Sequence, residues 1–158
     1  MTRGVRISIY LNYIWCVLRH KYYVIKYCIK LGVPLLGIVH DLSKFRLSEI
    51  VAYANYFCGN EEQKEKYKQK FTYSRLYHIH RNPHHWQYWL SKEDEGNTNT
   101  LDMPEKYVKE MVADWCGAGI ARTGELEVDT WYEKKWHRID LSNKTSLLVD
   151  RLIKEIKD

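Results

Sequence analysis

The chain has 158 residues, 45% hydrophobic and 28% charged, a balance that excludes a disordered or fibrous protein and fits one globular domain with a real core. Lysine and arginine number 25 against 20 aspartates and glutamates; the resulting +5 suits a polyanionic ligand such as a nucleotide without demanding one, and much of it lies on lysine-rich helix faces such as Lys64 to Lys70, which are usually solvated. Cys16, Cys28, Cys58 and Cys116 are widely spaced with no Cys-x-x-Cys pair, which excludes a zinc finger and predicts free thiols in a reducing compartment.

Arg3 and Arg6 precede an uncharged run from Ile7 to Leu18 that is similar to the start of a signal peptide. Arg19-His20-Lys21 follows where a small-residue cleavage site would stand, and the run is too short to cross a bilayer, so a cytoplasmic protein is expected. A first helix is predicted from about Ser8 to Leu31, stopped by Gly32. Pro34 suits the first turn of a short helix leading into His40-Asp41. Ser48 can cap a third helix through Phe57, ended by Cys58-Gly59, and a fourth runs from Glu61 to about His80.

Asn82-Pro83 marks a break, with a short helix over His84 to Leu90, and Ser91 to Thr100 is polar and non-periodic, hence a loop. Asp102-Met103-Pro104-Glu105 combines a cap, a first-turn proline and a capping-box glutamate, opening a helix to about Cys116 that Gly117-Ala118-Gly119 ends. Further helices are expected near Thr130 to Arg138 and from Ser142 onward, the last with Val149, Leu152 and Ile156 on one face. Hairpin-style strand alternation is missing throughout. The expected architecture is a single all-α, bundle-like domain over residues 1–158.

Histidine is where the sequence departs from the ordinary. His40-Asp41-Leu42-Ser43-Lys44-Phe45 sets an imidazole beside a carboxylate, between His20 upstream and His78, His80, His84 and His85 downstream, with Asp114 further on. Only His137 of the seven histidines falls outside this pattern. Two cations about 3.5–4 Å apart can clamp phosphoryl oxygens and lower the pKa of a bridging water. Such a site needs neutral imidazoles and a carboxylate that reaches both ions, and mixed nitrogen and oxygen ligands suit Mn, Fe, Co, Ni or Zn better than Ca or Mg. On the first helix, Cys16, His20 and Val24 at i, i+4 and i+8 turn His20 inward, a position that alone is more often a hydrogen-bonded core histidine. Asp114 shares a partly buried face with Met111 and Tyr107, where a carboxylate is costly unless paired or ligating.

Pro83 breaks the i, i+4 relation of His80 and His84, so a zincin-type helix is excluded, and the spacing does not decide between His78 and His80 as the inward residue. Lys44, about one turn beyond Asp41, is a candidate for contact with a substrate phosphate or a leaving group; Arg81 and Arg122 are further candidates for phosphate contacts.

The order His, His-Asp, more histidines, then Asp across helices resembles the HD-domain superfamily of metal-dependent phosphohydrolases, and Lys44 three residues after Asp41 is similar to its HDxxK variant. More closely, His40 to Phe45, Asn82 to Trp89 and Glu110 to Trp115 resemble a bacterial and phage family sharing the pattern HDLSKF…NPHHW…EMxxDW. The resemblance implies His20, His40, Asp41 and Asp114 as metal ligands. By likeness to the superfamily's binuclear branch, His78 or His80 with His84 or His85 would hold a second ion. It implies one or two divalent transition-metal ions, Asp41 and Lys44 in catalytic roles, and a nucleotide or other small phosphorylated substrate. HD-type di-iron oxygenation is a second enzymatic reading, and a structural metal site in an interaction protein is a third. Nucleic-acid binding is less favoured, because the 13 tyrosines are scattered at helical spacing and no basic run stands out.

Overall fold

The computed structural model describes residues 3–157, with side chains from residue 7 onward. Among them lie seven α-helices: α1 (Arg3–Lys30), α2 (Pro34–Val39), α3 (Leu47–Cys58), α4 (Glu61–Arg81), α5 (Glu105–Thr123), α6 (Val128–Lys135) and α7 (Asn143–Lys157). Short 3-10 turns at Leu42–Phe45, Trp86–Trp89 and Trp136–Arg138 link them. The fold class is all-α. No helix among the described residues is long and apolar enough to cross a membrane.

The helix α1 organises the rest, because its buried face serves two apolar clusters in succession. Tyr13 and Val17 pack with Ala52, Tyr53 and Ala54 of α3, with Phe71 of α4 alongside. One to two turns later, Val24, Tyr27, Cys28 and Leu31 join Val108, Met111, Val112 and Cys116 of α5 and Val149, Leu152 and Ile156 of α7. His20 falls between Val17 and Val24, at the seam of the two clusters.

Two glycines fix how closely the helices approach that seam. A Cβ on Gly117 would meet Val24 Cγ2 at 2.7 Å and the His20 carbonyl oxygen at 3.3 Å, so α5 lies almost against the α1 backbone. A Cβ on Gly37 would meet Cys28 Cβ at 2.8 Å and Ile25 Cα at 3.0 Å, which draws α2 onto α1 just before His40.

Gly117 also corrects an expectation. The Gly117-Ala118-Gly119 run does not end α5; the helix continues to Thr123 and stops at Gly124, whose φ of 86° closes it. Glycine here serves packing rather than termination, and the neighbouring helix holds the backbone straight. The segment expected as a loop over Ser91 to Thr100 carries a short antiparallel hairpin, Leu90–Lys92 with Thr98–Thr100, its turn closed by Gly96 at φ 92°. Almost all of it is exposed, so it lacks the apolar alternation that reveals a strand.

Helix starts differ too. Ser48 lies inside α3, with Arg46 at the cap position, and Pro104 rather than Asp102 stands before α5. Asp102 instead accepts a hydrogen bond from Ser142 at 2.6 Å, while Ser142 also accepts from the Thr145 N–H and so caps α7. The short helix expected over His84 to Leu90 is the 3-10 turn Trp86–Trp89, and the one expected near Thr130 begins at Val128. All four cysteines are free; Cys28 and Cys116 are buried, whereas Cys16 is exposed instead of sharing the inward stripe with Val24.

Gly37→Ala and Gly117→Ala are expected to lower unfolding stability by ~1–3 kcal/mol through overpacking against α1, enough to outweigh the better helix propensity of alanine. Gly119→Ala, whose added Cβ would meet nothing nearer than Glu125 O at 3.9 Å, is expected to raise stability by ~0.5–1 kcal/mol. Urea titration of the three variants checks both signs.

Candidate metal centre

Local structure aims each histidine at the seam. α2 ends at Val39, and Lys21, next to His20 on α1, donates to the exposed carbonyls of Ile38 (2.7 Å) and His40 (2.8 Å). Asp41 then takes a left-handed backbone conformation, φ 53° and ψ 25°, the one positive φ among the described non-glycine residues. Aspartate tolerates this region better than most residues, and strain of this kind concentrates at functional sites. The reversal sends His40 and Asp41 inward together. On the opposite side, the Asn82 side chain donates to the His78 carbonyl at 2.7 Å and ends α4. The Trp89 indole donates to Pro83 O at 2.7 Å, and Trp86 and Trp89 pack on the main core, which anchors the turn carrying His84 and His85.

The imidazoles form a chain, with ring centroids 5.6 Å apart for His20–His40, 4.4 Å for His40–His84, 4.2 Å for His84–His85 and 4.9 Å for His85–His78. Three groups of donor atoms come together, each within 4.8 Å: Asp41, His78, His84 and His85; His20, His40 and Asp41; and His40, His84 and Asp114. Asp41 joins the first two. Its Oδ1 lies 3.2 Å from His78 Nε2 and 3.4 Å from His84 Nε2, and its Oδ2 lies 3.3 Å from His40 Nε2 and 2.5 Å from Lys44 Nζ. Asp114 Oδ1 lies 3.1 Å from His20 Nε2 and 3.5 Å from His40 Nε2.

These atoms are near one another but not aligned on one another. The Nε2 atoms of His20, His40, His78, His84 and His85 and both oxygens of Asp41 are buried without a hydrogen-bond partner. Leaving so many polar atoms unsatisfied is expensive, and the whole set is accounted for if they aim at points between them that could hold a cation. Buried donors from imidazole and carboxylate can hold a metal ion, and the mixture suits a transition metal.

The opposite ring edges are oriented by carboxylates. His40 Nδ1 donates to Glu110 Oε1 at 3.0 Å, and His84 Nδ1 lies 3.2 Å from the same oxygen. His78 Nδ1 lies 3.0 Å from Ser43 Oγ and 3.3 Å from Glu49 Oε2. An ionised carboxylate only accepts, so it fixes the proton on Nδ1 and leaves the Nε2 lone pair for a metal. The charge balance points the same way: four carboxylates, Asp41, Glu49, Glu110 and Asp114, meet one ammonium, Lys44.

Titration follows from this crowding. Burial opposes ionisation of Asp41, but Lys44 and then His40 outweigh it and hold the carboxyl well below its ordinary value. Desolvation likewise opposes ionisation of Asp114, but the neighbouring His20 and His40 rings outweigh it and hold the carboxyl well below its ordinary value. For His40, burial disfavours the charged ring, yet Asp41 and its neighbours raise its pKa well above the usual imidazole range. His78 is raised in the same manner by Asp41 and Glu49 against its burial. His85, buried and beside His84, is pushed down to about 3 and stays neutral.

The fold brings together His20, His40, Asp41, Lys44, His78, His84, His85 and Asp114. It does not bring in three others. His80 is exposed on α4, because two residues along a helix turn a side chain away from the face that His78 occupies. Arg81 is exposed with its guanidinium 5.5 Å from the Tyr77 ring centroid, and Arg122 is exposed two turns beyond Asp114. Sequence reasoning misses Glu49 and Glu110. Glu110 sits one turn before Asp114 inside the EMxxDW segment, and a charged residue on an otherwise apolar helical face is the signal it offers. Glu49 offers none, since acidic residues are ordinary in a first helical turn.

Glu110→Gln is expected to weaken transition-metal affinity ~10–100-fold, because it replaces the charged acceptor of two Nδ1 protons with a weaker, neutral amide while preserving shape. His80→Ala should leave affinity unchanged. Competition between the protein and a chromogenic chelator for Co or Zn measures both.

No curated protein and no solved structure matches the chain. Residues 10–156 match a family description, and that span contains every side chain of the centre, most of α1, all of α2 to α6 and nearly all of α7. The chain belongs to the Family of unknown function (DUF5662).

Proposed function

We propose that this protein is an HD-type, metal-dependent phosphohydrolase acting on a nucleotide or related small phosphorylated molecule through metal-activated water. The observation that carries the reading is the Asp41 carboxylate, fully buried, with one oxygen toward His40 and the other toward His78 and His84. A carboxylate that addresses two donor groups is what an ion pair needs as its bridge. When bound, two divalent cations polarise a phosphoryl group and lower the pKa of coordinated water toward neutrality.

The side chains have separable tasks. Asp41 would bridge; His20 and His40 would complete one donor group and His78, His84 and His85 the other, with Asp114 grouped with His40 and His84. Glu110 and Glu49 keep the rings in register. Lys44 stays an ammonium at every working pH, because Asp41 and then Asp114 outweigh the burial that would discharge it. Its side chain is 20% exposed, with Asp114 at 17% and His20 at 13%, whereas His40, His78 and His84 are nearly sealed. Substrate therefore approaches from the Lys44 side, where the ammonium donates to a phosphoryl oxygen and offsets charge developing on the leaving group. A reducing cytoplasm suits the four free thiols.

The test is phosphate release from a panel of nucleotides and sugar phosphates with Mn, Co, Ni or Fe supplied. Chelator-sensitive turnover is expected. Lys44→Ala is expected to lower kcat by about 10²-fold or more while metal affinity stays the same or rises, since Asp41 loses its competing cation. Asp41→Asn should abolish turnover, and Arg122→Ala should leave it intact. Silence across the panel with the ions loaded sinks the reading. A coupled iron pair by EPR together with oxygen uptake would replace it with oxygenation.

A further inference from the structure

A second cavity, of about 520 Å³, opens between the start of α3 and the last turns of α4, on the far side of Glu49 from the histidine cluster. Its walls include Glu49, Lys70, Tyr73, Ser74, Tyr77 and Arg81. We propose that it binds a nucleotide unit, with the base against Tyr73 and Tyr77 and the phosphate on Lys70 and Arg81.

Each part of such a ligand meets its complement there. Tyr73 and Tyr77 are 55% and 56% exposed, so two aromatic faces stand in solvent without a core to fill. They are four residues apart on one helix, an offset of about 6 Å along the axis. Arg81 already lies over the Tyr77 ring, which holds its guanidinium at the edge of the stack, and guanidinium is the side-chain group best matched to phosphate. From Lys66 to Arg81 the helix carries three lysines and two arginines and no acidic residue, so the field along this face is positive. The volume is ordinary for a small-molecule site.

Glu49 supplies the polar edge. It is 3% exposed; Oε2 faces His78 and Ser43, and Oε1 is buried with no hydrogen-bond partner. An amino group that reached Oε1 would supply its missing donor, which favours a base such as cytosine or adenine over uracil, where a carbonyl takes that place. The site uses none of the candidate metal-binding side chains and shares with the metal centre only Glu49, which lies against His78.

The chemistry fits both a free nucleotide and one unit of a single strand, and the experiment separates the two. CMP, UMP and a short fluorescein-labelled oligocytidylate are titrated against the full-length chain, with and without a chelator. Saturable binding that survives the chelator is expected, with CMP at least tenfold tighter than UMP. An oligonucleotide far tighter than CMP identifies a strand as the ligand; comparable affinities identify the free nucleotide. Tyr73→Ala/Tyr77→Ala is expected to weaken binding at least tenfold with an unchanged circular-dichroism spectrum, since both rings are mostly in solvent. Lys70→Gln should weaken binding and flatten its salt dependence. Absence of saturable binding by CMP and the oligonucleotide alike overturns the assignment. So does binding that the chelator abolishes and the tyrosine double variant leaves intact, which would belong to the metal centre.

Discussion

A carboxylate inside a protein is tolerable only where positive charge faces it, and this fold gathers four carboxylates, Asp41 at their centre, with Lys44 the one ammonium among the described residues within ion-pair distance of them. Proton sharing with His40 and His78 relieves part of the deficit, which is why those rings hold protons so firmly. Divalent cations would relieve it better, because the Nε2 atoms and both Asp41 oxygens are without other partners. Ion occupancy and folding free energy are thereby linked: whatever neutralises the cluster also stabilises the native chain. The left-handed backbone at Asp41 has the same origin, a local strain held in place by the packing of α2 on α1 and by Lys21 on the carbonyls beside it.

Placement at the seam of two apolar clusters gives the centre rigid walls on both sides. Candidate ligands come from α1, the α2 end, the end of α4, the turn after it and α5, while Glu49 reaches in from α3. α6 and α7 give no ligand; α7 buries Val149, Leu152, Ile153 and Ile156 and so holds α5 from behind. Because Gly117 lets α5 touch α1 one turn from Asp114, the His20–Asp114 contact is set by backbone approach rather than by side-chain reach. Substitutions far from the ligands, at glycines that merely pack, therefore bear on the geometry of the centre.

What the sequence discloses is governed by how local each signal is. Helical periodicity and punctuation such as Gly32, Pro34 and Asn82-Pro83 are short-range, and the helices fall where those residues place them, within a few positions. The ligands are legible because core packing alone rarely gathers so many histidines and an aspartate into one pattern. His78 and His80 cannot be told apart, since the choice depends on how α4 rotates against α3, a tertiary fact. Glu110 and Glu49 hide for a related reason: a glutamate on a helix is unremarkable until the fold shows what it faces. Gly117 and Gly119 look alike in sequence, yet one is a contact point with α1 and the other is not. The exposed hairpin carries no burial pattern at all, so periodicity has nothing to report there. The basic and aromatic residues of α4 read as a solvated helix face, and only the approach of α3 turns Lys70, Tyr73, Tyr77 and Arg81 into the wall of a cavity.

Glu49 is the side chain that the centre and the cavity have in common. Its carboxylate has one negative charge to distribute between two oxygens, and every donor that approaches one of them draws on the charge available to the other. Oε2 steadies His78 Nδ1, and Oε1 lacks a partner. A ligand donating to Oε1 would leave Oε2 a weaker acceptor and His78 a less basic donor toward an ion; conversely, an ion on His78 would draw the Nδ1 proton toward Oε2 and reduce what Glu49 offers a ligand. Linkage would make the two effects equal in free energy, so occupancy of either site would weaken the other by the same factor. The sign would be antagonistic because both ligands draw on one carboxylate, and the coupling would run through the 3.3 Å approach of Glu49 to His78 rather than through any movement of helices.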